Sequence, residues 1–442
     1  MTELENTGDS TGSRETSAGS AISLVQRGNL KALEKTLRKQ WRLGQNIVLC
    51  WSADERGLLV IFVPHYFLGN YCADDAEHKG NEGFIRDMIS GTRRKTREEM
   101  FAVSKRLVVA PTFIKLSTAL SEEPRVLAEV EQLIRRYGLS YVESRAVLLF
   151  DIVEFSLYTP FEQASQLNSL SYSLNSAYNK LLARGIEINF ARTTTGDGYY
   201  IWNRSLGSDA NIELFYFMIL VVADNAMACA ASRGNTVPVI RTAYHIGGHY
   251  ELYQAEGVNP TVFSYIVGDV TIELARMVDQ AAAKQILIGE FSTQLGEEAA
   301  GAGEVSTPGF IAACNRGLSA VEGSHLSNKV MSAINCRLSE HQAEGDEQVS
   351  PRRFRIVDKH GLEHYAYNLQ LAVDLQSDVL HLGLDDAKLV PGLSADKNVA
   401  GKKNLEREQD EQGEERPAAS AEELFDDLAG LLQKRQPNII ED

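Results

Sequence analysis

Apolar positions along the chain recur with two different periods, and the changes from one to the other outline its elements. Leu30, Leu33, Leu37 and Trp41 fall at helical spacing, and NIVLCWS (46–52) and GLLVIFV (57–63) flank a polar Asp-Glu-Arg-Gly turn, which predicts a helix followed by a β-hairpin. Residues 92–106 form a basic helical stretch, read as a solvated helix face rather than an anion site. A second amphipathic helix is predicted over Glu122–Tyr137, with Leu127, Val130, Leu133 and Ile134 on one face; it leads as a connector into RAVLLFDIVEFS (145–156), an apolar run of strand length that ends in an acid.

From there to about 373 strands and helices alternate. A helix is predicted over 161–183, a strand over 186–193, a turn at Thr195-Gly-Asp-Gly198, a strand over 199–203 and a long apolar helix over 211–231. A strand (238–247), a helix (270–281), a strand (285–289) and a closing hairpin (354–372) that turns at His360-Gly361 follow. The interleaving predicts an α/β (α+β) fold. Residues 290–350, rich in Gly, Ala, Glu and Ser, read as an insertion with one short helix around 323–340.

Composition refines this picture at the ends. Residues 1–20 carry too few apolar groups to order themselves and read as a flexible tail; 385–442 holds 15 Asp/Glu against 8 Lys/Arg and reads as an acidic linker. Within it Ser420–Gln436 has a capping-box start and an apolar face of Leu424, Phe425, Leu428, Leu431 and Leu432. The expected domains are therefore a tail (1–20), an N-terminal α/β region with its connector helix (21–140), a larger region of alternating strands and helices (145–373) and the acidic tail (385–442). A net charge of −16 disfavours a nucleic-acid partner, and five scattered cysteines without a CxxC argue against a disulfide framework or zinc ribbon. With no secretory signal, and with its longest apolar run (Ile212–Ala223) interrupted by Glu213, the chain is expected to be cytoplasmic and without a membrane span.

Two acids stand out. Asp151 ends the apolar run and Asp197 sits in the Thr-Gly-Asp-Gly turn; separately, a strand-terminating acid and an Asp-Gly hairpin are ordinary structural features. If the first strand lies beside the 186–203 hairpin, both carboxylates reach one sheet edge, about 4–6 Å apart, where they would raise each other's pKa unless a cation lay between them. Oxygen-only ligands suit Mg²⁺ or Mn²⁺ shared with substrate phosphates.

The ordered motifs FDIVEFS (150–156), TTGDGYYIW (194–202), RTAYHIGG (241–248), VGDVTIELARM (267–277), QILIG (285–289) and IVDKHGLEHYAYNL (356–369) resemble the catalytic domain of class III nucleotidyl (adenylate/guanylate) cyclases. The resemblance covers about half the chain. It implies a ferredoxin-like catalytic domain that works as a head-to-tail homodimer and attacks the α-phosphate of a nucleoside triphosphate with the ribose 3′-hydroxyl. Carried over by position, Asp151, Asp197 and the Ile152 carbonyl would hold two Mn²⁺ or Mg²⁺ ions. Arg276 would stabilise the transition state from across the dimer, and Lys359 would bind phosphate.

There are departures too. Ile272 stands where the family has its catalytic asparagine, Thr193 and Tyr265 where it reads adenine, and Glu154 where it has a small glycine; His245 reads as core packing. Arg192 and Thr193 before the turn look like the signature of pyrimidine cyclases of bacterial Pycsar anti-phage systems, which implies UTP or CTP as substrate and a second-messenger role in antiviral defence. Neighbouring strand residues point to opposite faces, so both can meet one base only if a bulge intervenes. The alternatives are an adenylate or guanylate cyclase with unconventional base recognition, and a catalytically silent cyclase fold that senses nucleotide.

Overall fold

The computed structural model describes residues 22–73, 80–256, 259–296, 303–342, 349–358, 360–376, 378–386 and 394–395. The expected tail over 1–20, the Ser420–Gln436 helix and Lys359 lie outside the described residues.

The N-terminal module is a three-stranded antiparallel sheet between two layers of helix. Helix α1 (Leu24–Trp41) starts where Ser23 Oγ accepts from the Gln26 amide, and its i, i+4 positions Leu33, Leu37 and Trp41 are buried. Strands β1 (Asn46–Asp54) and β2 (Gly57–Pro64) form the expected hairpin. Helices α2 (Phe67–Ala73) and α3 (Asn81–Ile89) and strand β3 (Thr112–Lys115) were not expected from the pattern; β3 pairs with β2. The basic stretch is α4 (Arg97–Leu107), started by a reciprocal Thr96/Glu99 capping box; it buries Met100, Val103 and Leu107 and turns its charged residues outward. The connector is α5 (Pro124–Arg136). Helices α1 and α5 cover one face of the sheet, and α3 and α4 cover the other.

The rest of the described chain is α+β around one mixed sheet of eleven strands. Strand β4 (Leu139–Ile152) leads to α6 (Pro160–Ala183), β5 (Phe190–Thr194), β6 (Gly198–Asn203) and α7 (Ser208–Ala231). The long β7 (Ile240–Glu256) and β8 (Asn259–Val267) precede α8 (Asp269–Gln280) and β9 (Ile286–Gly289). After α9 (Thr307–Gly317) come β10 (Ala333–Leu338), β11 (Arg353–Val357), β12 (Glu363–Leu375) and β13 (Asp378–Leu382). Across the sheet the order is β11-β12-β9-β7-β4-β6-β5; β10 and β13 pair with β12, β8 pairs with β7, and a two-residue strand, Ser394–Ala395, pairs with β11 at the edge. Among the described strands, only β7 and β9 pair in parallel.

Each sheet face has its own core. Leu148, Phe150 and Ile152 of β4 pack under α6, α7 and α9; Val147 and Leu149 pack under α8. Period-two alternation along one strand thus feeds both layers. Among the described residues α7 is long and apolar enough to cross a membrane, a length the interrupted run Ile212–Ala223 did not announce, and most of it is buried inside this core.

Residues 290–350 differ from expectation. The segment is not merely inserted: β10 adds a strand to the main sheet, with Ile334 opposite Val373, and α9 packs Phe310 and Cys314 into the larger core. The short helix expected around 323–340 is absent. Its place is taken by a small ladder and β10, whose AINCRL alternates intermediate or exposed with buried positions, the period of a strand.

One buried arginine fastens the N-terminal module to β4. The Arg93 guanidinium is fully enclosed; Nη1 donates to the carbonyls of Val48 (3.2 Å) and Leu49 (2.8 Å), and Nη2 donates to the Leu139 carbonyl and to Ser140 Oγ. Burial pulls its pKa down to about 10, and the Arg93 amide donates to Glu131 Oε1. Arg93→Met should lower stability by about 3 kcal/mol in urea unfolding followed by tryptophan fluorescence, because carbonyls are left buried without donors. Arg97→Met, at an exposed ion pair with Asp54, should change it by less than about 1 kcal/mol.

Candidate active site

The ladder register sets the site. Asp151, one residue from the end of β4, lies opposite Gly198 of β6 on one side and Arg241 of β7 on the other. Its side chain is on the α8 face, in step with Val147 and Leu149, and only 8% of the residue is exposed. Arg241 Nε donates to Asp151 Oδ2 at 2.9 Å and Nη2 donates to the same oxygen, which leaves Oδ1 without a hydrogen-bond partner among the described residues.

Asp197 reaches the same place through a tight turn. Gly196 has φ +103°, a conformation that favours glycine, and a Cβ at Gly198 would strike the Phe150 carbonyl, so both glycines of Thr-Gly-Asp-Gly are needed for the turn to close on β4. The Ile152 amide donates to the Asp197 carbonyl at 3.0 Å, and Thr195 Oγ1 donates to Asp197 Oδ1 at 3.1 Å. Burial raises the Asp151 pKa; Arg241 opposes the shift without cancelling it, and the Asp197 and Asp279 charges add to it. The two sequence-singled carboxylates are thus within electrostatic reach of each other. Tyr200, on the same face, is pushed up to about 12 by burial and by Asp279 and Asp151, and its hydroxyl donates to the Thr271 carbonyl at 3.0 Å.

Helix α8 borders this face. Val270, Leu274, Met277 and Val278 pack on the sheet, while Ile272 is 51% exposed. Arg276 Nε lies 3.3 Å from Asp358 Oδ2, just before the hairpin turn between β11 and β12. The Asp358 carboxylate also accepts the amides of His360 (2.8 Å) and Leu362 (3.0 Å). Burial works against its ionisation, but these amides, with Arg276 and His360, hold it below the usual carboxylate range. His364 Nδ1 lies 2.8 Å from Glu273 Oε1 and its Nε2 3.8 Å from Asp358 Oδ2, so Glu273, Arg276, Asp358 and His364 gather between α8 and the hairpin, though neither His364 nitrogen nor Arg276 Nε makes a hydrogen bond there.

The Arg192–Thr193 pair is divided by the sheet. Arg192 Nη1 donates to Ser171 Oγ of α6 at 2.9 Å, and its guanidinium sits 5.3 Å from the centre of the Tyr199 ring, on the α6 face. Thr193 lies opposite Tyr200 on the Asp151 face, and no bulge interrupts the β5–β6 register. The Ile152 side chain is buried in the α6/α7 core, so only its backbone can serve the site. His245 is a buried core residue on β7; burial and His364 lower its pKa to about 4. Sequence reasoning missed Arg241, Asp358, Glu273 and His364. Arg241 alone had a signal, an arginine opening the strand RTAYHIGG, but its partnership depends on register.

The donor set fits a hard divalent cation. Asp151 Oδ1 and one oxygen of Asp197 remain for it, and the cost of burying the Asp151 carboxylate, to which the Asp197 charge adds, is what such an ion would relieve. No group of three or more His, Cys, Asp or Glu gathers among the described residues, so an ion here would depend on further oxygens from backbone or substrate.

No protein-family model and no curated protein matches the chain. Among solved structures it is similar to the catalytic core of a rhodopsin-guanylyl cyclase with converted specificity in complex with ATPαS, at 13% identity over 54% of this chain and 99% of that one, TM-score 0.30. It is similar also to the guanylate cyclase domain of RhGC from Catenaria anguillulae in complex with GTP (14% identity, 53% and 98% covered, TM-score 0.30). A third is the adenylyl cyclase CyaB from P. aeruginosa (12% identity, 52% and 95% covered, TM-score 0.30).

The charge arrangement can be read directly by carboxyl ¹³C titration. The Asp151 resonance should titrate above the free aspartate range; Asp197→Asn should lower its midpoint, and Arg241→Gln should raise it further.

Proposed function

We propose that this chain is a metal-dependent nucleotidyl cyclase that converts a nucleoside triphosphate into a 3′,5′-cyclic nucleotide and pyrophosphate. The observation that carries the reading is the pairing of Asp151 and Asp197 at one end of the β4–β6 ladder, with Asp151 buried at a cost that Arg241 does not cancel. Bound Mn²⁺ or Mg²⁺, as a pair of ions, supplies acidification of the ribose 3′-hydroxyl and neutralisation of the triphosphate.

The chain's own residues do the rest. Asp151 and Asp197 provide carboxylate oxygens and Ile152 its carbonyl; Arg241 fixes the Asp151 rotamer by holding Oδ2. Arg276, in a homodimer, serves the α-phosphate of the facing copy, and Asp358 orients its guanidinium until then. A pyrimidine triphosphate, UTP or CTP, is the favoured substrate. That preference rests on the Arg192–Thr193 sequence signature alone, since Thr193 shares the Asp151 face while Arg192 is turned to α6, and the anti-phage second-messenger role follows from the same signature. Lys359 completes the proposed phosphate contacts.

A second reading is favoured by one observation: Ile272, one turn before Arg276, is half exposed and has no polar group to orient a ribose. It makes the chain a silent nucleotide sensor. Incubation with ATP, GTP, CTP and UTP separately, with Mn²⁺ and then Mg²⁺, and mass analysis of products separates the two. The expected result is a cyclic pyrimidine nucleotide, with Asp151→Asn, Asp197→Asn and Arg276→Ala each reducing its rate about a hundredfold or more. A cyclic purine would overturn the base preference, and nucleotide binding without turnover would establish the silent sensor.

A further inference from the structure

The α7 face of the sheet holds a cavity of about 340 Å³ that the carboxylate site does not use. It opens between the C-terminal half of α7, the start of β7, the loop before β9 and strand β13, with apolar walls from Val222, Ala226, Ile240 and Leu380. Asn225 lines it. This residue is 4% exposed; its Nδ2 donates to the Pro238 carbonyl at 3.0 Å, and its Oδ1 has no partner. That oxygen is sealed beneath the wall rather than open to the space, so Asn225 stiffens the wall and polar recognition is left to the mouth.

The mouth supplies charge. Lys284 lines the cavity on an exposed loop, and no hydrogen bond or ion pair holds its ammonium among the described residues. It also stands at φ +65°, where a non-glycine side chain is uncommon. Its amide is anchored to the Ile240 carbonyl at 3.0 Å, so the lysine is carried at a fixed point of the rim. Cys229 also lines the space, but its Sγ faces the Pro238 carbonyl at 3.3 Å and burial raises its pKa, which makes it wall rather than nucleophile.

We infer that this cavity is a small-molecule site for a compact amphipathic anion: an aromatic or aliphatic body against the α7 wall and an acidic group on Lys284. The volume is at the small end of ligand pockets, which fits one such molecule. Ile240 and Thr242, which line it, flank Arg241, whose side chain holds Asp151 on the opposite face. An occupant therefore touches the strand segment behind the carboxylate site, yet its binding is independent of whether that site is a cyclase.

Anilinonaphthalene sulfonate is a suitable probe, since it carries an aromatic body and a sulfonate. Titrated into the full-length folded protein, it should give saturable fluorescence at one dye per chain. Ala226→Trp, which fills the cavity, should weaken it about tenfold or more, and Lys284→Gln, which leaves the cavity open, about fivefold. Thermal melts check that each variant folds; Lys284→Gln, at the exposed rim, keeps the test valid should the tryptophan not be accommodated. No saturable binding, or equal affinity in wild type and both variants, would overturn the site. Loss in Ala226→Trp with no change in Lys284→Gln would overturn its anionic ligand class.

Discussion

The antiparallel ladder between β4 and β7 is the constraint on which everything else in this protein depends. Its register runs from Leu139 opposite Leu252 to Ile152 opposite Ile240, roughly 45 Å of strand at about 3.3 Å per residue. At the first end Leu139, Tyr141 and Tyr250 pack into the core under α3 and α4, and Arg93 takes the Leu139 carbonyl. At the other end the same ladder sets Arg241 against Asp151. A register shift between Val142 and Arg145 divides the two stretches, and the one extra residue of β4 there accompanies the inward turn of Arg145 to Glu251 (3.1 Å) and the Arg204 carbonyl (3.3 Å). Below the shift the strand serves the N-terminal module; above it, alternate residues serve the two cores of the main sheet. Module and site are therefore two ends of one hydrogen-bonded ribbon.

Electrostatics distinguishes the two acidic groups on the α8 side. Asp358 is satisfied: two hairpin amides and Arg276 more than offset its burial, and it is held as an anion without outside help. Asp151 is not. Although Arg241 holds one oxygen through two N–H groups, burial and the Asp197 charge still outweigh it. Of the two, only the Asp151–Asp197 pair would gain from a further positive charge, which is why the catalytic reading centres there and gives the Arg276–Asp358 contact a positioning role.

The sequence made legible what local pattern determines. The apolar run ending in Asp151, the Thr-Gly-Asp-Gly turn, the leucine-spaced α6, the long, mainly apolar α7 and the hairpin closing at His360-Gly361 could each be placed to within a few residues. What escaped depends on partners distant in sequence. β10 is one strand's width of mixed residues in a Gly/Ser/Glu-rich setting, and it is a strand because β12 offers it an edge. Arg241 matters only through its place opposite Asp151, and Asp358, Glu273 and His364 meet only when α8 lies across the hairpin. The alternation argument did foresee one difficulty: with no bulge between them, Arg192 and Thr193 emerge on opposite faces.

That separation shapes any account of base selection. Arg192 is committed to α6 through Ser171 and the Tyr199 ring, so its guanidinium cannot meet a base lying on the Asp151 face without crossing the sheet. Thr193 is on the correct face, but a hydroxyl both donates and accepts and discriminates poorly between the edges of different bases. It places a short side chain beside Tyr200. On the proposed reading, selectivity at this position would rest on the shape of the space, and a pocket that merely excludes bulk separates ligands by far less than one that must satisfy a buried donor or acceptor.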